Sequence, residues 1–164
     1  MALRKLGKRF LKSFTVPSSE PLRVVLDANV LFSGCAFESG NSRKIINYIL
    51  RHKVCLVTCT YIISEVVEHL LEKDKQTSIP EFYRVLAEGY LETVESPSRD
   101  DITANLYLVP ADPKDVPVVL TAINSHADCI ISGDHHLNAG DVTTQAIDTL
   151  IRVFTPHDFL DTMI

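Results

Sequence analysis

Residues 22–34, LRVVLDANVLFSG, hold an apolar, β-rich run that stops at Asp27 and turns apolar again at Val30-Leu31-Phe32. Charged side chains are seldom buried without a partner. A carboxylate at the tip of a core strand therefore asks for a reason, and the rest of the chain is read from it.

From Leu22 onward, short β-rich runs alternate with helical patterns. Strands are expected over 22–26, 54–58, 91–94, 128–132 and 152–154. Helices are expected over 41–52, capped by Asn41 or Ser42, and over 80–89, opened by Pro80. A third helix spans 61–73, with an apolar stripe of Ile62, Ile63, Val66, Val67, Leu70 and Leu71. A fourth spans 115–126; Pro117 falls in its first turn, and its apolar face includes Val119, Ala122, Ile123 and His126. Residues 95–114 are turn-rich and receive no element. This alternation predicts an α/β protein, a three-layer α/β/α sandwich around a central, mainly parallel sheet of four to five strands.

The 164 residues suit one domain, 21–164, preceded by a basic extension, 1–20. In that extension Arg4, Lys5, Lys8, Arg9 and Lys12 stand against Glu20, a net of +4, with Leu3, Leu6, Phe10, Leu11 and Phe14 spaced for one helical face. A tail or a docking helix is the expected role. The remainder holds 11 basic and 20 acidic residues, a net of −9, the opposite of a protein that only coats nucleic acid. No apolar run approaches the roughly 20 residues needed to span a bilayer, and the N-terminus lacks a secretory pattern. Cys35, Cys55, Cys59 and Cys129 sit in apolar segments without a paired zinc spacing, as expected of buried, reduced thiols in a cytoplasmic protein.

In parallel sheets, ligands gather at the carboxyl ends of the strands. Asp27 directly follows the first strand, and Asp134 follows the fourth in IISGDHHL. Either alone reads as a cap or turn former; two in one sheet weaken that reading. Glu65 lies near the first turn of the 61–73 helix, whereas Glu68 and Glu72 are carried about one and two 5.4 Å turns further from the edge. Asp115 opens the 115–126 helix, with Asp112 competing for the same role. If four such carboxylates converge, they require a cation to neutralise them. All-oxygen ligation suits Mg²⁺ or Mn²⁺, and an open site of this kind suits metal-assisted phosphodiester hydrolysis.

Four stretches in order, LRVVLDANVLFSG, TYIISEVVEHL, DPKDVPVVLTAINSHADCIISGDHHL and IRVFTPHDFL, resemble the PIN domain, a small metal-dependent ribonuclease fold. The likeness is strongest to its bacterial toxin–antitoxin branch and covers about Leu22 to Leu160. The resemblance implies that Asp27, Glu65, Asp115 and Asp134 are the catalytic, metal-binding acids, and it favours Asp115 over Asp112. It also implies that Asn29 and Ser132 support them. It further implies cleavage of single-stranded RNA with Mg²⁺ or Mn²⁺, an antitoxin partner, and a homodimer or higher homo-oligomer. Arg43, Lys44 and Lys114 are candidate phosphate contacts, and His135 and His136 follow the fourth acid. Two rival readings are a non-catalytic PIN-like scaffold and a haloacid-dehalogenase-like phosphatase. The second wants an acid two residues after Asp27, where Asn29 stands.

Overall fold

The computed structural model describes residues 20–138, 147 and 150–163; residues 1–19, which hold the basic extension's helical pattern, lie outside them. Five strands form one sheet: β1 (Leu22–Leu26), β2 (Val54–Cys59), β3 (Leu91–Val94), β4 (Cys129–Ile131) and β5 (Arg152–Phe154). Their order is β3-β2-β1-β4-β5. Every pairing is parallel, with Val24 beside Leu56 on one side and Cys129 on the other. β1 and β2 are mostly apolar, broken by Arg23 and Thr58, because helices cover both faces of a parallel sheet. Val24, Val25 and Leu26 are fully buried, as is all of β2.

The apolar return after Asp27 is a helix, α1 (Ala28–Ala36), and it is buried almost all round. A helix apolar on every side belongs in the core. α2 (Asn41–Leu50) packs on it, so closely that a Cβ at Gly34 would sit 2.9 Å from the Ser42 carbonyl oxygen. The expected cap at Asn41 or Ser42 is not what starts α2. Gly40 precedes it at φ +105, with no side-chain cap, a backbone state that favours glycine.

α3 (Thr60–Glu72) follows β2, and α4 (Ile79–Glu88) leads into β3. The stripe of α3 is narrower than its sequence suggests: Ile62, Val66 and Leu70 are buried, while Leu71 is exposed. The unassigned 95–114 stretch contains α5 (Arg99–Ala104), begun by a reciprocal Ser98–Asp101 capping box. Two 3₁₀ turns follow, at Leu106–Leu108 and Pro113–Asp115.

The chain then runs back through α6 (Val116–Asn124), whose residues Val116 to Ala122 are buried against β1, β2 and β4. His126 was expected on its apolar face but lies beyond the helix end, exposed and at φ +53. Two short helices, α7 (His135–Asn138) and α8 (Pro156–Met163), follow β4 and β5. All four cysteines are buried and free. Among the described residues no helix is long and apolar enough to cross a membrane.

Candidate metal centre

Strand order decides where a ligand site lies. β1 feeds β2 and β3 on one side and is flanked by β4 and β5 on the other. The sheet therefore has a switch point between β1 and β4, and the crevice beyond their carboxyl ends is where α/β sheets bind ligands. Asp27 leaves β1 there, and Asp134 leaves β4 three residues after Ile131.

Asp27 is only 4% exposed. Its Oδ2 accepts a 2.8 Å hydrogen bond from the Ser132 hydroxyl, and Oδ1 a long 3.4 Å bond from the Asn29 backbone N–H. Ser132 also accepts from the Asp134 backbone N–H at 3.0 Å. One buried hydroxyl thus ties the two strand-end acids together. Asn29 supports Asp27 only through its main chain; its side chain is exposed and lines a shallow groove with Ser33, Ser42, Asp134 and His135.

Glu65 is half-buried and accepts from the Tyr61 hydroxyl at 3.1 Å. Glu68 and Glu72 are exposed, as their depth along the helix predicts. Asp134 Oδ1 accepts from the His136 backbone N–H at 2.7 Å, with His135 Nδ1 3.7 Å away.

Asp115 precedes α6 but makes no capping bond. Capping falls instead to Asp112, which accepts from the Lys114 N–H at the start of the 3₁₀ turn. The Asp115 Oδ2 is buried and has no hydrogen-bond partner. A buried polar atom left without a partner costs about 1–3 kcal/mol, more when charged.

Carboxylate oxygens of Asp112, Asp115 and Asp134 lie within 4.8 Å of one another, a spacing suited to a single cation. Asp112, set aside in favour of Asp115 on sequence grounds, therefore belongs to the cluster as well. The sequence signal is D-P-K-D: three residues are one 3₁₀ turn, which brings positions i and i+3 side by side. Asp27 and Glu65 are not in that tight group but act on it through space.

Electrostatics follow from this crowding. Asp115 is pushed up to about 7, first by burial and then by the charges of Asp27, Asp134, Asp112 and Glu65. Burial also raises Asp27, against the opposing hydrogen bond from Ser132, and it raises Glu65 against that from Tyr61. Among the described residues no lysine or arginine lies within ion-pair distance of these five acids. An all-carboxylate donor set with an orphaned buried oxygen fits a hard divalent cation such as Mg²⁺ or Mn²⁺.

The basic candidates are dispersed. The Arg43 guanidinium is held by Glu81 at 2.6 Å and the Gly34 carbonyl at 3.2 Å. Lys44 lines a separate depression with Asn41, Tyr48, Arg51 and His157. Lys114 is exposed beside the acids and acts electrostatically on Glu65.

Among solved structures the fold is similar to that of PAE2754 from Pyrobaculum aerophilum, at 17% identity and a TM-score of 0.53, over 79% of this chain and 97% of that one. It is also similar to VapBC2 from Rickettsia felis bound to a DNA fragment from their promoter, at 9% identity and a TM-score of 0.55, over 82% and 98% of the two chains. A search of curated proteins gives no match. The family model of the PIN domain matches residues 23–136, the span from β1 through the Asp134 turn that carries all five acids. The chain belongs to the PIN domain family.

Proposed function

We propose that this protein is a divalent-metal-dependent endoribonuclease that cleaves single-stranded RNA, with the acids at the switch point as its metal ligands. The observation that carries the reading is the buried, unpartnered Oδ2 of Asp115 amid four other carboxylates. A fold that needed these residues only for capping would not leave that oxygen bare, because uncompensated buried charge is destabilising.

In this reading Asp115, Asp134, Asp27 and Glu65 hold Mg²⁺ or Mn²⁺, and Asp112 supplements them. Bound there, the metal would lower the pKa of a water to give the nucleophile and neutralise charge on the leaving oxygen. Ser132 fixes Asp27 and the Asp134 turn in mutual register. The open groove past Asn29, Ser33 and Ser42 leads to Asp134 and gives the strand a bed beside the acids. The exposed Lys114, which acts electrostatically on Glu65, is a basic side chain beside the acids that could meet phosphate.

A role as the toxin of a toxin–antitoxin pair, with an antitoxin partner and a homo-oligomeric state, is part of the proposal. The similarity of fold to the VapBC2 complex supports the antitoxin partner.

The test is cleavage of a mixed single-stranded RNA by wild type and Asp27→Asn, with Mn²⁺, with Mg²⁺ and with EDTA. Cutting that requires metal and vanishes in a folded Asp27→Asn supports the nuclease. A wild type that binds Mn²⁺ calorimetrically but cuts no RNA supports a PIN-like scaffold instead.

A further inference from the structure

A side chain outside the acid cluster reaches two of the elements that build it. Tyr61 is the second residue of α3. Its backbone N–H donates to Ser96 Oγ at 3.1 Å. Its hydroxyl lies 3.1 Å from Glu65 Oε1 and 3.3 Å from the carbonyl oxygen of Lys114, so one hydrogen serves two acceptors.

Each tie has a local cause. Tyr61 and Glu65 are four residues apart and stand on one helix face. Lys114 immediately precedes Asp115, in the turn that begins at Asp112. α3 has no side-chain cap of its own, since Cys59 supplies none; Ser96, from the loop after β3, takes that place. A phenol on a helix start secured in this way links the helix of Glu65 to the turn of Asp112 and Asp115. Glutamate has three side-chain torsions to restrain before it can ligate, whereas tyrosine reaches the same distance with two.

We infer that Tyr61 is a positioning residue of the metal centre, its phenol restraining Glu65 and the Lys114 carbonyl so that Glu65 and Asp115 are presented to the same ion. The inference rests on the metal-dependent reading above. Groups that orient metal ligands from outside typically change affinity 10–100-fold when removed.

Calorimetric titration of the full chain with Mn²⁺ tests this on wild type, Tyr61→Phe, Glu65→Gln and the double variant, with thermal melts in EDTA as the folding control. Tyr61→Phe is expected to melt like wild type in EDTA and to bind Mn²⁺ about tenfold more weakly. In the Glu65→Gln background the same change should have a smaller effect, the part that runs through the Lys114 carbonyl. Unchanged Mn²⁺ affinity in Tyr61→Phe, or the same loss with and without Glu65, overturns the inference and leaves the metal site standing. No Mn²⁺ binding by wild type overturns both.

A second readout does not depend on Tyr61→Phe folding. The chain has five tyrosines and no tryptophan, so Mn²⁺ should perturb tyrosine absorbance in wild type and not in Glu65→Gln. A wild type that binds Mn²⁺ without that perturbation also overturns the inference.

Discussion

Two carboxylates of this chain meet opposite fates. Glu81, on α4, accepts from Arg84 at 2.7 and 2.8 Å and from Arg43 at 2.6 Å. Chiefly through Arg84, it is held down to about 2. Asp115, at the carboxyl edge of the sheet, is pushed up to about 7 by burial and four like charges. The Glu81 region is neutralised from within and ties α1, α2 and α4 together. The Asp115 region has no such arginine among the described residues, and in the proposed function a cation neutralises it. An acid compensated by the protein's own arginines is a structural part; one surrounded by other acids is, in the proposed function, a metal ligand.

The largest expected effect breaks the comparison on its functional side. Asp27→Asn should lower metal-dependent RNA cleavage by at least about 10²–10³-fold, read as initial rate, while circular dichroism stays native. Glu81→Gln should leave the rate within about twofold.

Metal should separate the regions next. Mn²⁺ at 100 times its Kd is expected to stabilise the wild type by about 2.7 kcal/mol, seen as a thermal shift of roughly 5–10 °C that EDTA reverses. Asp115→Asn should lose most of that shift, and Glu81→Gln should keep it.

The pH dependence should run in opposite senses. The folded pKa of Asp115 lies above its ordinary value, so its contribution to stability is complete below about pH 4 and is lost as pH rises through about 7. In EDTA the wild type should therefore lose roughly 2 kcal/mol between pH 5 and 8, after discounting for solvent screening, and Asp115→Asn should show a flatter profile. Glu81 lies below its ordinary value, so its contribution is present above about pH 4.3 and is lost as pH falls through about 2. Denaturant midpoints across pH measure both.

The smallest effect sharpens the structural side. Glu81→Gln should cost about 1 kcal/mol at pH 7, because the pairs it breaks are partly solvated and leave two arginines able to turn to water. Equilibrium urea unfolding in EDTA reads it.

Much of this was legible beforehand, where local pattern and depth in the chain act alone. β1, β3 and β5 fall on their expected residues because apolar β-rich runs bounded by turns have few other outcomes. Glu65 separates from Glu68 and Glu72 because helical rise is fixed per residue. α1 was obscured because a helix buried on all sides has no polar face to set its period against. α2 starts at Asn41 as expected, but its cap was misread, because a backbone state at Gly40 and not a side chain begins it. Arg43 looked like a phosphate contact, since nothing local to it announces Glu81, 38 residues away.

The sequence by itself determined the layered α/β architecture and membership of the PIN domain family, and it put Asp27, Asp115 and Asp134 at element ends and Glu65 early in α3. These depend on periodicity, strand-end position and motif order, all properties of neighbours along the chain. Only the tertiary structure decided that Asp112 joins Asp134 in the tight cluster and that Tyr61 spans Glu65 and Lys114. Those facts depend on distances between segments tens of residues apart, which strand order and the path of the 95–115 loop set. Burial and like charge then raise Asp115, a consequence of convergence that no single stretch contains.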